Sequence, residues 1–324
     1  MSASDRDRSK LRIATRGSDL ALTQSRHIAA RIERELGVEA ELIVLHTTGD
    51  RIQDRSLAKI GGKGLFVKEI EEALLDGRAD VAVHSAKDVP AQIAPGCVIA
   101  AHPEREDPRD ALAARERGTT LAGLKPGARV GTGSTRRIAL LKALRPDLTI
   151  VALRGNVPTR LGKLESDGLD AVVLACAGLD RLGLSDRIDE RISPDAMLPA
   201  VGQGVLALET RAEDDWRDRI AALEPAEVGR VARAERAFQV ALGGDCSVPL
   251  AGFAERFDGG TLRFRGLVSS LDGRRIARAE ATASESEAEG LGARVAEVLL
   301  DNGGREILRE LAENAKTEAR DSDV

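Results

Sequence analysis

The sequence predicts two α/β domains built on parallel sheets, followed by a smaller α+β unit. Three observations carry this. Strand-length apolar runs alternate with segments of helical periodicity from Leu11 to Ala175. The plan of strand, Ser- and Arg-bearing turn, and helix occurs at residues 12–18 and again at 129–134. From Glu227 the order changes to one helix, three successive strands and a closing helix. The chain has 324 residues, enough for two or three domains at roughly 150 residues each.

Leu11–Thr15 reads as the first strand, ending at Arg16-Gly17-Ser18-Asp19. Leu20, Leu22, Ile28, Ile32 and Leu36 then recur at helical spacing, with Ser18 or Asp19 as N-cap. Glu41–His46 is a second strand, and Thr47–Gly64 is polar and Gly-rich, which is loop chemistry. Phe66–Leu75 reads as a helix, and Asp80–His84 as a buried strand ending at Ser85-Ala86-Lys87-Asp88-Val89-Pro90. Arg105–Leu124 is charged and reads as a crossing between domains. The second unit runs through a strand at Arg129–Thr132, the turn Gly133-Ser134-Thr135 and a helix at Arg136–Leu144. It continues with a strand at Leu148–Leu153, a helix after Arg154-Gly155-Asn156, and a strand at Leu169–Ala175, with Cys176 expected inside that buried strand. Val205–Glu209 reads as a strand returning to the first domain. A helix from Glu227 to Val240, strands at Leu250–Arg256, Leu262–Ser269 and Arg274–Thr282, and a helix at Glu287–Leu300 complete the chain. The expected division is residues 8–104 with 200–222, then 105–199, then 226–315, with a disordered tail at 316–324.

Composition excludes several classes. Hydrophobic residues make up 42% and charged residues 31%, ordinary for a globular protein and unlike collagen, a disordered chain or a disulfide scaffold. Five Phe, one Trp and no Tyr leave an aliphatic core and argue against a site of stacked rings. The net charge of −5 does not mark a nucleic-acid binder. Three cysteines at wide spacing and four scattered histidines offer neither a zinc site nor a disulfide framework. A charged N-terminus without an apolar segment, and no run of about 18 apolar residues, point to a cytoplasmic protein with no signal peptide and no membrane span.

In open α/β sheets, ligands sit beyond the carboxyl ends of the strands. Arg16 and Ser18, Lys87 and Asp88, Ser134, Arg136 and Arg137, Arg154, and Arg181 all fall at such ends. Guanidinium forks hold carboxylates or phosphates by two-point contacts and keep their charge when partly desolvated. With Arg160, Lys59 and Lys63, they would line a cleft suited to a small polyanion inside an acidic protein. Gly61-Gly62-Lys63-Gly64 lacks the frame of a phosphate-binding P-loop. Asp88 is the one carboxylate among these cations, able to stabilise a developing cation or accept from a ligand N–H. A turn-capping role before Pro90 stays open for it. Cys246 follows two glycines and a carboxylate in a loop, which suits a nucleophile or an attachment point; an inert loop thiol remains the alternative.

Nine motifs occur in order. They are Arg-Ile-Ala-Thr-Arg-Gly-Ser (12–18), Thr-Thr-Gly-Asp (47–50), Gly-Gly-Lys-Gly-Leu-Phe-Val-Lys-Glu-Ile-Glu (61–71), Val-His-Ser-Ala-Lys-Asp-Val-Pro (83–90) and Arg-Glu-Asp-Pro-Arg-Asp (105–110). The rest are Gly-Thr-Gly-Ser-Thr-Arg-Arg (131–137), Leu-Arg-Gly-Asn-Val-Pro-Thr-Arg (153–160), Leu-Pro-Ala-Val-Gly-Gln-Gly (198–204) and Asp-Cys-Ser-Val-Pro (245–249). Together they resemble the porphobilinogen deaminase (hydroxymethylbilane synthase) family from about Leu11 to Leu308. Ala86 stands where that family often has Met or Leu, and Gly-Asp-Cys replaces the more usual Gly-Gly-Cys.

The resemblance implies two domains of the periplasmic-binding-protein type II kind with an active-site cleft between them, plus a C-terminal domain carrying the cysteine. It implies a transferase that joins four porphobilinogen molecules head to tail on a dipyrromethane cofactor, itself made from substrate, and releases hydroxymethylbilane and ammonia. It places that cofactor on Cys246 by a thioether and makes Asp88 the catalytic carboxylate. Lys87, Ser85, Thr132, Ser134, Arg136, Arg137, Gly155 and Asn156 would hold the cofactor, while Arg16, Ser18, Arg154, Arg160, Arg181 and Gln203 would face substrate. Lys59, Lys63 and Phe66 would belong to a loop over the site. It further implies a monomer that uses no metal and passes its product to uroporphyrinogen-III synthase. The rival class is a two-lobed anion-binding module, which would leave Asp88 amid cations and the displayed Cys246 unexplained.

Overall fold

The computed structural model describes residues 10–47, 67–243, 248–257 and 260–322. The first lobe opens with β1 (Lys10–Arg16), α1 (Asp19–Leu36) and β2 (Glu39–Leu45). It continues with α2 (Lys68–Leu75), β3 (Val81–Ser85), a single 3-10 turn at Ala86–Asp88, and β4 (Cys97–Ala101). The second lobe holds β5 (Asp110–Ala114), β6 (Arg129–Thr132), α3 (Thr135–Leu144), β7 (Thr149–Ala152), α4 (Val157–Ser166), β8 (Ala171–Ala175), α5 (Cys176–Arg181) and β9 (Glu190–Ile192). The chain then returns with β10 (Leu206–Arg211) and α6 (Asp215–Ala221). The third unit consists of α7 (Ala226–Leu242), β11 (Leu250–Phe257), β12 (Thr261–Ser269), β13 (Ile276–Ser284), α8 (Ala288–Leu299) and α9 (Arg305–Ser322).

The first sheet has the order β2-β1-β3-β10-β4, and the second β7-β6-β8-β5-β9. In each, four strands run one way and the strand that follows a crossing runs antiparallel between two of them: β10 between β3 and β4, β5 between β8 and β9. Only β10 returns to the first sheet after the second lobe is built, so two segments join the lobes, at residues 102–109 and 193–205. This is the expected two-lobed α/β architecture with a separate third sheet, β11-β12-β13.

Aliphatic side chains pack both faces of the lobe sheets, as the shortage of aromatics requires. Leu11, Ile13, Val81, Leu206 and Leu208 meet Ile28, Ile32 and Trp216 on one side of the first sheet. Ala111, Val172 and Leu174 meet Leu161, Leu164 and Leu179 in the second. The third unit uses the scarce aromatics: Phe238 of α7 lies 5.0 Å, centroid to centroid, from Phe264 of β12.

The structure corrects the sequence reading at several points. The segment 105–124 is not only a crossing: its apolar Ala111–Ala114 forms β5, buried in the middle of the second sheet. Cys176 is buried but opens α5 rather than lying inside the strand before it. Cys97–Ala101 and Glu190–Ile192 are additional strands. The last helix runs past residue 315 to Ser322, through the helix-favouring Glu-Leu-Ala-Glu-Asn-Ala-Lys segment, where a disordered tail was expected.

Candidate active site

The strand ends build the site. Arg16 closes β1, and Ser18 caps α1 by accepting from the Ala21 N–H. Ser85 closes β3 and exchanges hydrogen bonds with the Gln24 amide at 3.1 and 3.3 Å. Lys87 and Asp88 lie on the 3-10 turn that follows, where Pro90 prevents the helix from continuing. Arg16, Ser18, Gln24, His84, Ser85 and Asp88 line one pocket with about 420 Å³ of empty space.

The second lobe faces this turn. Thr132 ends β6, buried, and accepts from the Ser134 N–H; Ser134 caps α3. Arg136 and Arg137 follow in the first turn of α3, only 3% and 5% exposed. Both reach the fully buried carboxylate of Asp110, at 2.7 Å from Arg136 and 2.8 Å from Arg137. Burial alone would raise the Asp110 pKa, but the two guanidiniums outweigh it and hold the carboxyl well below the ordinary range. Gln203 is also buried, donating to Asp110 Oδ1 and the Pro108 carbonyl and accepting from Arg137. Its polar groups are thus engaged in the frame beneath the cleft, which does not match a side chain held ready for substrate.

Arg154, Gly155 and Asn156 form the turn before α4. Asn156 caps α4 by accepting from the Thr159 N–H at 2.9 Å, so its side chain is occupied by the helix. Gly155 has φ 108° and its carbonyl accepts from Arg160 Nε at 2.7 Å. Arg154 has no hydrogen-bond or ion-pair partner among the described residues. Burial lowers the pKa of both Arg154 and Arg160; for Arg160 the neighbouring Arg137 and Arg154 push the same way, and Asp88 opposes them. Arg181 crosses between lobes, donating to Glu104 Oε1 at 3.1 Å and to the Gly204 carbonyl at 3.0 Å. It is a closed interlobe contact here, not an open cleft residue.

Lys87 is half-buried. Desolvation pulls its pKa down to about 8, with Arg137 and Arg136 acting in the same sense and Asp88 and Asp110 against it. These mutual effects bring Lys87, Asp88, Arg136, Arg137, Arg154 and Arg160 into one electrostatic neighbourhood spanning both lobes. Cys246, Lys59, Lys63 and Phe66 lie outside the described residues. Cys97 and Cys176 are buried, with burial pushing both thiols up to about 12, so neither supplies a thiolate near neutral pH. No group of three metal-ligating side chains occurs among the described residues.

Sequence reasoning missed Asp110, and with it the engagement of Arg136, Arg137 and Gln203. Its one available signal was an acidic residue opening the apolar run 111–114. Also missed was Glu235 of α7, fully buried, which pairs with Arg105 at 2.8 Å and accepts from the N–H groups of Gly202 and Ala254.

Two α/β lobes joined by two crossings, with cations from both gathered at the strand ends, make a site of the anion-binding class. Comparison with known proteins makes this specific: the chain belongs to the porphobilinogen deaminase family. Residues 11–218 match the family's dipyromethane cofactor binding domain, and residues 230–301 its C-terminal domain. The porphobilinogen deaminase of Syntrophus aciditrophicus is 51% identical over 93% of this chain and 98% of that protein. That of Ralstonia nicotianae is 50% identical over 94% and 93%. Among solved structures, the periplasmic VFT2 domain of Bordetella pertussis BvgS aligns over 67% of this chain and 87% of its own, at 15% identity and a TM-score of 0.42.

Proposed function

We propose that this chain joins four porphobilinogen molecules head to tail on a dipyrromethane primer bound through Cys246 and releases hydroxymethylbilane. The observation that carries the reading is Asp88, which lines a pocket with Arg16 and acts on Lys87 and Arg160, while the other nearby carboxylate, Asp110, is tied up by Arg136 and Arg137. Each pyrrole bears an acetate and a propionate, so a growing chain is a polyacid and needs such a lining.

The residues fit the primer. Among the described residues, Arg136 Nε has no acceptor and the partly desolvated Arg154 has no partner, so both offer donors to carboxylates. Arg137, Arg160 and Lys87 add positive charge. When bound, the primer supplies the nucleophilic pyrrole carbon to which substrate is joined. Asp88 then accepts from the substrate pyrrole N–H. As the C–N bond breaks and ammonia leaves, its negative charge stabilises the positive charge left on the ring. Arg16, Arg154 and Arg160 orient the substrate carboxylates.

The working unit is read as residues 8–104 with 200–222, 105–199 and 226–315, with hinge points at Arg105–Asp110 and Pro199–Gly204. No helix among the described residues is long and apolar enough to cross a membrane. We place the chain in the cytoplasm as a monomer, where the attachment thiol stays reduced, with uroporphyrinogen-III synthase taking the product.

Intact-mass spectrometry of the purified chain, before and after porphobilinogen, tests this. The expected result is an added dipyrromethane mass, a ladder of one-pyrrole increments, and a positive reaction with Ehrlich's aldehyde reagent. An unmodified mass with no pyrrole reaction, the behaviour of a plain anion binder, would sink it.

A further inference from the structure

We propose that Asp110 is a positioning residue of the primer site: its carboxylate locks Arg136 and Arg137 into one orientation and ties that orientation to the interlobe crossing at Gln203. This rests on the reading of the cleft as a polyacid site.

Consecutive residues of an α-helix point about 100° apart, so Arg136 and Arg137 would ordinarily diverge. Here a shared acceptor draws them together. Asp110 Oδ2 accepts from Arg136 Nη1 at 2.7 Å, and Oδ1 accepts from Arg136 Nη2 at 3.0 Å, a two-point fork. The same Oδ1 accepts from Arg137 Nε at 3.0 Å and from Gln203 Nε2 at 2.9 Å. The fork is braced from behind by the Leu198 carbonyl on Arg136 and the Val173 carbonyl on Arg137.

Four donors engage this carboxylate, which is fully buried, so Asp110 faces the guanidiniums and not a ligand. The donors are not saturated: Arg136 Nε lacks an acceptor. Two buried guanidiniums against one carboxylate leave one positive charge in excess. Lys87 stands close enough to be affected by all three groups. A ligand carboxylate therefore completes the cluster, and Asp110 decides where that carboxylate must sit. Gln203 links the position to the second crossing, because its amide also donates to the Pro108 carbonyl of the first crossing at 2.7 Å.

The test uses the full chain with Asp110→Asn. Intact mass reads the fraction of molecules carrying the primer. In a Cys246→Ser background, the pH dependence of Lys87 reductive methylation, followed by peptide mass spectrometry, reads the electrostatic link without the primer's own charge. We expect primer occupancy to fall at least about fivefold and Lys87 half-modification to move to lower pH, since a supporting negative charge is gone. Asp110→Glu should keep the Lys87 profile, while its longer side chain restores occupancy only in part. Should Asp110→Asn not fold, Gln203→Leu, which leaves the charge balance intact, should lower occupancy about threefold with the Lys87 profile unchanged. Wild-type occupancy and a wild-type Lys87 profile in folded Asp110→Asn would overturn the proposal, as would wild-type occupancy in Gln203→Leu. A wild-type chain that carries no added mass overturns the primer reading instead, and the Lys87 profile still judges the electrostatic link.

Discussion

Asp88 works by contrast with its surroundings. It shares a pocket with Arg16 and acts electrostatically on Lys87 and Arg160, whereas the charge of Asp110 is engaged by Arg136 and Arg137. Asp88→Ala should fold normally and lose turnover by about 100-fold or more, the scale of removing one group that stabilises charge in the transition state. Single-turnover kinetics with matched circular dichroism checks this. Lys87 makes a pH prediction. Its folded pKa, about 8, lies below the unfolded value, so between about pH 8 and 10.5 the unfolded chain holds more protons. Stability therefore rises with pH across that window, and the cost of the buried ammonium is fully present below it. Lys87→Met should melt higher than wild type at pH 7, with the difference shrinking as pH approaches 10; an equal difference at both pH values would show that desolvation of the charge is not the cause.

At the scale of elements, the turn that carries Asp88 is shaped by its neighbour in space. Gly202 has φ 70°, and a Cβ there would stand 3.0 Å from the Ala86 carbonyl carbon and the Lys87 nitrogen. Ala86 N also donates to the Val205 carbonyl at 2.9 Å, so the second crossing is the floor of the turn that carries Asp88. Gly202→Ala meets both a left-handed backbone and a crowded one, and should cost about 1–3 kcal/mol while shifting the turn. Urea titration reads the first effect, and a fall in kcat larger than the change in KM reads the second. This floor was only half legible beforehand. The Gly-Gln-Gly spacing marked residues 202–204 as a turn, but nothing in sequence says which strand end a glycine backs. Likewise, alternation made the parallel strands legible, whereas β5 hid between Asp110 and Arg115 because charged flanks mask a short apolar run. Arg136 and Arg137 were legible as strand-end cations, but their sharing of Asp110 was not, since pairing across 26 residues is set by tertiary packing. Asn156 and Gln203 carried the right polarity for a ligand; the structure shows Asn156 capping a helix and Gln203 bonded to Pro108, Asp110 and Arg137.

At the scale of the molecule, the three units are bound through buried charge. Glu224, at the entry to α7, accepts from His102 and from Arg233; burial would raise its pKa, but these partners bring it down to about 2. Glu235 goes further, because its two oxygens hold Arg105 from the first crossing, the Gly202 N–H from the second and the Ala254 N–H of β11. Arg105 is sandwiched as well, its guanidinium 5.0 Å from the Phe253 ring centroid. A pair this deep adds little net stability as a pair, but removing one partner strands the other charge. Glu235→Gln should therefore destabilise by about 3–5 kcal/mol, because Arg105 loses its counter-charge and one backbone N–H faces an amide NH₂. Arg105→Leu combined with Glu235→Gln should recover part of that loss, since it leaves no orphaned ion. A double-mutant cycle in urea decides the matter: additive losses would mean that Arg105 and Glu235 stabilise separately, whereas a strongly compensating double variant shows one shared charge pair holding both crossings to the third unit.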